Sequence, residues 1–249
     1  MAEPYDLIHV PPCSVDYMMT RQFSYQKEAN LDLTHIIGGD WDRVVPNAEV
    51  LFLNSVEQKF DRRRIMPLSN CCFYRSVVNH IRNGKPWEET EFNELLTDAD
   101  RFQLDREWEY NNENGREWRF DQLDRLACSM REDGYKTQRE CREADISGHD
   151  KFNPSLRSSE FPPESHEVAI NIGRDGKLIL DEGRHRFMIA RALELDSIPV
   201  RVFVRHEQWQ QKRSEAARAA HPSEVSKDVR CYLSHPDMSD VANFDMRID

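Results

Sequence analysis

The residue types best suited to chemistry stand together at Asp181-Glu182-Gly183-Arg184-His185-Arg186. An apolar run, Leu178-Ile179-Leu180, leads into them, and an amphipathic helical pattern leaves them at Phe187. A strand, a glycine turn and a helix start make an anion site, because first-turn N–H groups have no helical partners and the helix dipole adds positive potential. Cations are unfavourable at a helix N-terminus, so Arg184, His185 and Arg186 in succession need a reason, and a bound anion supplies one. Gly183, Arg184 and Arg186 are therefore candidate phosphate-binding residues, with backbone amides cradling the oxyanion and guanidinium groups clamping it. Glu182 and Asp181 are candidate general bases, or ligands of Mg²⁺ brought in with a nucleotide. Their alternative is N-capping and charge compensation in the first turn. His185 is a candidate proton shuttle, since an unperturbed imidazole titrates near neutrality, with a structural hydrogen bond in the turn as its alternative.

Two further groups of residues have the right types. Asp40-Trp41-Asp42, after Ile36-Ile37-Gly38-Gly39, is either a second carboxylate cluster with a stacking ring or a turn around a buried tryptophan, and the spacing favours the turn. His206 and Trp209 follow the last apolar strand, where core packing of Trp209 is favoured over a stacking platform. The six cysteines contain no C-x-x-C pair and no zinc spacing, so they read as reduced, small apolar residues. No protein-held metal site and no organic cofactor are predicted.

The elements that must position the turn follow from periodicity. Val168–Ile172 alternates like a strand, Arg174-Asp175-Gly176-Lys177 reads as a hairpin turn, and Leu178–Leu180 is the partner strand. Phe187–Leu195 reads as a helix, and Ile198–Val204 as a strand with Pro199 at its start, where a missing N–H is tolerable. Phe120, Leu123, Leu126, Ala127 and Met130 form the buried stripe of a helix over 120–132, with Gly134 at its C-cap. Helices are also expected over 69–82, 88–96 and 206–220, and only short elements after Pro222. The first 35 residues suggest an extended arm. Residues 98–118 are highly charged, with a break at Asn111–Gly115, and residues 144–165 are loop-like.

Composition bounds the function classes. With 249 residues the chain can bury a proper core without disulfides or metal. A net charge of −11 argues against broad binding to nucleic-acid backbone, though not against a local basic groove. Of the 34 basic residues 26 are arginine, the residue suited to bidentate phosphate contacts. Apolar runs fall short of a membrane span, and the first 25 residues lack a signal-peptide core, so a cytoplasmic protein with no membrane partner is expected.

Residues 120–206, about a third of the chain, resemble the ParB/sulfiredoxin-like superfamily in three motifs that occur in the family's order. Phe120–Tyr135 is similar to the family's helix ending in Ser-Ile-x-x-x-Gly. The hairpin with Asp181–Arg186 is similar to its phosphate-binding turn, Gly-Glu-Arg-Arg or Gly-Cys-His-Arg. Ala190–Val200 is similar to the helix and Ile-Pro-Val strand that follow. Gly38–Asp42, Lys85–Thr90 and His235–Met238 resemble a layout of archaeal and viral proteins carrying this core.

The resemblance implies an α+β fold: a ParB/sulfiredoxin-like core over 119–206, a mainly helical N-terminal extension over 1–118, and a C-terminal helix and tail over 207–249. It implies that Ser129, Tyr135 and Gln138 flank the nucleotide, with ordinary capping as their alternative. It also implies a nucleotide partner, a nucleoside triphosphate with Mg²⁺, and NTPase or kinase chemistry. A metal-dependent DNA nuclease, with DNA as partner, and a non-catalytic nucleotide-switched or protein-binding module are the alternatives. Arg184 stands where sulfiredoxins carry the catalytic cysteine and ParB proteins the glutamate, which argues against sulfinic-acid reduction. With 43 residues after His206, no partition-type DNA-binding domain is expected either.

Overall fold

The computed structural model describes residues 6–20, 35–45, 63–97, 113–144 and 162–242. The stretch expected to be highly charged lies outside the described residues over 98–112, as does most of the expected loop, over 145–161. The described residues form an α+β fold of one mixed seven-stranded sheet and seven helices. No helix among them is long and apolar enough to cross a membrane.

The strands are β1 (Leu7–Val10), β2 (Tyr17–Met19), β3 (His35–Ile37), β4 (Ile65–Pro67), β5 (Ala169–Ile172), β6 (Leu178–Glu182) and β7 (Ile198–His206). Their order across the sheet is β1-β7-β5-β6-β2-β4. β7 is the spine, buried at all nine residues. It pairs with β5 in parallel along one edge, and along the other with β1, antiparallel at Ile198–Arg201, and with β3, parallel at Val204–His206. The extended arm expected in the first 35 residues thus contains β1 and β2. β2 lies parallel to β6, and β4 lies outside it. The sheet therefore joins β1–β4, from the segment expected to be a mainly helical extension, to β5–β7 of the expected core.

The helices are α1 (Cys72–Asn83), α2 (Glu91–Thr97), α3 (Glu113–Asp133), α4 (Gln138–Glu143), α5 (Arg184–Ala192), α6 (Glu207–Arg218) and α7 (Lys227–Arg230). α1 ends at Gly84, whose positive φ of 68° lets its N–H bond His80 O at 3.1 Å while Lys85 N–H bonds Asn79 O at 3.2 Å. α3 starts at Glu113, through the expected break, and so includes Gly115. Burial of Arg119 and Phe120 one turn later stabilises the stretch that glycine weakens. Thr137 and Glu140 start α4 with a capping box, Thr137 Oγ1 accepting from Glu140 N and Glu140 Oε2 from Thr137 N.

The helix-covered face holds the main core, with Phe73, Phe92, Leu123, Phe187, Val200 and Trp209 buried together. The opposite face holds a smaller cluster of Met19, Trp41, Ile65, Ala169, Ile179, Phe203 and Val204. Trp41 reaches it from a strap that leaves β3 at one edge and arrives at Val44, bridged to Ile65 of β4. The Asp40-Trp41-Asp42 motif is thus a turn around a buried tryptophan. Its indole N–H bonds Ile37 O at 3.1 Å, and Asp42 accepts Arg174 Nη2 at 2.7 Å and Arg174 N at 2.8 Å.

A buried carboxylate, Asp237, stitches down the C-terminal elements, with Asp240 beside it on Arg213. Asp237, 1% exposed, accepts from Arg205 (Nε and Nη2, 2.9 and 2.5 Å) and from the indole of Trp209 at 2.8 Å, and pairs with Arg213 at 3.4 Å. Trp209 is fully buried, as its core reading expects. Removing one partner of a buried ion pair strands the others, so Asp237→Ala is expected to lower stability by about 3–5 kcal/mol in urea unfolding.

Candidate functional site

The hairpin that delivers the turn forms as the sequence expects. Gly173 O accepts from Gly176 N at 3.0 Å, Gly176 takes φ of 79°, and Gly173 N bonds Lys177 O at 2.9 Å. β6 then runs on to Glu182, beyond the expected strand end at Leu180. Ile170 faces Leu180 and Ala169 faces Glu182, so Asp181 is an extra residue in the ladder. A second irregularity lies beside it, where Asn171 faces Val204 while Ile170 faces Val202.

Asn171 joins these two bulges. Its Oδ1 accepts from Val204 N at 3.0 Å, and its Nδ2 donates to Asp181 Oδ1 at 3.0 Å. Both residues are 0% exposed. Asp181 is thus a buried carboxylate that orients an amide across β6, β5 and β7. Glu182, half-buried at the end of β6, stands directly before the turn.

Gly183 is the N-cap of α5, with φ of 76° and no side-chain cap; no acidic residue follows in the first turn. A Cβ there would lie 2.9 Å from Val168 Cα and Val168 Cγ2. Gly183 is therefore required by the approach of Val168, just before β5, as well as by its backbone angle.

The three basic residues of the turn diverge. Arg184 is 5% exposed, and its Nη2 reaches Met19 O at 3.4 Å, at the end of β2. His185 packs edge-on against Phe73 of α1, ring centroids 5.1 Å apart, with Nε2 shut off from solvent. Burial, and then the charges of Arg119, Arg184 and Arg186, hold its pKa well below the ordinary value, so the ring is neutral at physiological pH. Arg186 turns the other way and donates Nη2 to His166 O at 2.5 Å and Nη1 to Glu167 Oε2 at 3.3 Å.

Glu167 gathers several predicted residues. Its side chain is 0% exposed and accepts from Tyr135 Oη at 3.0 Å and Gln138 N at 2.5 Å as well as from Arg186. Burial raises its pKa, and Arg186 opposes that rise. Burial also pushes the Tyr135 phenol far up, keeping it a donor to Glu167. Gln138 is 5% exposed, and its Nε2 is buried with no hydrogen-bond partner among the described residues. Ser129 lies half-buried on α3, outside this network.

The structure thus brings Tyr135, Gln138 and Arg186 together at Glu167, while the charges of Arg119, Arg184 and Arg186 all lower the pKa of His185. Sequence reasoning missed Glu167 and Arg119. Arg119 did carry a signal, because it lies on the α3 stripe four residues before Leu123 and is 5% exposed. Glu167 carried none, as a lone carboxylate beside a strand.

Gly183→Ala is expected to destabilise the fold by about 1–3 kcal/mol, read as a lower urea midpoint, because the new Cβ meets backbone at a positive φ.

No family model, no curated protein and no solved structure matches this chain.

Proposed function

We propose that this chain binds the phosphates of a nucleotide at the first turn of α5, in a core resembling the ParB/sulfiredoxin-like superfamily. One observation carries the reading. α5 opens at Gly183 with no acidic residue in its first turn, which Arg184, His185 and Arg186 fill, and the charge of Arg119 adds to theirs. Positive charge carried in the first turn of a helix adds to the dipole and unpaired N–H groups there and favours a multiply charged oxyanion. A neutral His185, packed on Phe73, leaves that field to the arginines.

Mg²⁺ fits this reading as an ion carried by the triphosphate. Among the described residues no three metal-ligating side chains stand together, and Mg²⁺ on phosphates needs one or two carboxylates with water completing its shell. Glu182 is the carboxylate beside the turn that would hold such an ion or deprotonate the attacking oxygen. Water as that nucleophile makes the protein an NTPase, and a small-molecule hydroxyl makes it a kinase. Binding without turnover is the second reading. It is favoured by the engagement of Asp181 with Asn171 and of Arg186 with Glu167, which gives both residues structural roles.

The test is a thermal-shift panel of ATP, ADP, CTP and GTP with Mg²⁺ on the parent and on Arg119→Gln. A nucleotide at 100 times its dissociation constant adds about 2.7 kcal/mol, a rise of roughly 5–10 °C for a chain of this size. One nucleotide is expected to give that rise in the parent and a much smaller one in Arg119→Gln. Phosphate release lost in Glu182→Gln, with the shift retained, identifies the enzyme; no release from the parent identifies the binding module. A flat panel from folded protein overturns the nucleotide reading, and stabilisation by DNA instead supports the nuclease alternative.

A further inference from the structure

His80, in the last turn of α1, is held between two acceptors. Its Nδ1 lies 2.7 Å from Lys85 O, and its Nε2 lies 2.9 Å from Asp124 Oδ1 on α3. A neutral imidazole carries one N–H and can satisfy only one of these oxygens, so the pair of contacts requires the imidazolium. With the ring neutral, a nitrogen lone pair would face an oxygen lone pair at hydrogen-bond distance.

The surroundings transmit that bond. Asp124 Oδ1 also accepts the indole N–H of Trp87 at 2.8 Å. The His80 ring stacks on Trp87, centroids 4.3 Å apart, and Trp87 stacks on Phe120 of α3 at 4.9 Å and 3°. One ring column therefore runs from α1 through the α1–α2 connection to α3, with the His80–Asp124 pair as its polar clasp. The charged groups facing His80 are Asp124 from α3 and Glu88 from the connection, and Lys85 presents its carbonyl. The His80 side chain is 22% exposed, so protons reach it from solvent.

We propose that His80 is a proton-operated latch, whose imidazolium fastens α3 to α1 and the α1–α2 connection through Asp124 and Lys85 and whose deprotonation loosens α3. This latch is independent of the nucleotide reading, because neither His80 nor Asp124 belongs to the α5 turn.

Burial alone would lower the ring's pKa, but the bonds it donates to Asp124 and to Lys85 O outweigh that and hold it above the ordinary value. The sign of the linkage follows. A folded-state pKa above the unfolded one gives stability that is complete below about pH 6.5 and is lost as pH rises through the folded value. Between the two, each pH unit raises the opening constant of the latched unit up to about tenfold.

The test uses the full chain and two measurements. Ring-nitrogen NMR between pH 5.5 and 9, assigned with His80→Gln, is expected to find both His80 nitrogens protonated at pH 6.5, with a midpoint above that pH. Hydrogen exchange of the α3 amides, corrected for intrinsic rates, is expected to accelerate through the same midpoint in the parent but not in Asp124→Asn. A single neutral tautomer at pH 6.5 overturns the latch. So does an α3 exchange profile with the same pH dependence in the parent and Asp124→Asn.

Discussion

A guanidinium group can leave water only where acceptors surround it, and this fold is built around that constraint. Arg174 holds the strap by Asp42, Arg205 and Arg213 hold the C-terminal segment by Asp237, and Arg186 holds α4 and β5's leading loop by Glu167. Arg191 reaches back from α5 to the carbonyls of Pro12 and Val15, and Arg82 donates to the last carbonyls of α5, Arg191 O and Ala192 O. Each contact joins segments far apart in the chain. An arginine-rich, lysine-poor composition therefore has a structural use here apart from any phosphate. A planar fork of five N–H donors can bridge a carboxylate and two carbonyls at once, which an ammonium cannot do with fixed geometry.

Around β7 the sheet adds a second constraint. A strand paired along both edges and buried throughout has no slack, so the two bulges must be accommodated inside the sheet. Asn171 does this with one amide, accepting the Val204 N–H and donating to Asp181. The bulge also determines where β7 delivers its last residues. Phe203 and Val204 both join the smaller cluster, and Arg205 reaches Asp237 beside Trp209. Asp181, one of the two acids that look catalytic in the sequence, is thus spent on registering strands.

Much of the helical layer was legible. The stripe of α3, the caps at Gly84 and Gly134, the Asp-Gly hairpin and the strand over 198–204 are all local patterns that survive into the fold, whereas the expected break at Asn111–Gly115 does not. β1, β2 and β4 were not legible, because each is three or four residues long and is stabilised by partners distant in sequence. Within the candidate site, the position of Gly183 at a strand-to-helix turn was readable from its neighbours. The fates of the side chains were not. Whether Arg186 meets an anion or Glu167, and whether Asp181 meets a nucleophile or Asn171, depends on tertiary contacts that spacing does not encode.

The pairing of β1 and β2 with β7 and β6 has a consequence in time. A chain is made from its N-terminus at roughly 5–20 residues per second. Leu7–Val10 are therefore exposed for on the order of ten seconds before Ile198–Arg201 exist to pair with them. Until then β1 has no ladder, although β2 can already pair with β4. Completion of the sheet awaits β7, so a nascent chain stalled before it leaves β1 unpaired and is a ready substrate for chaperones.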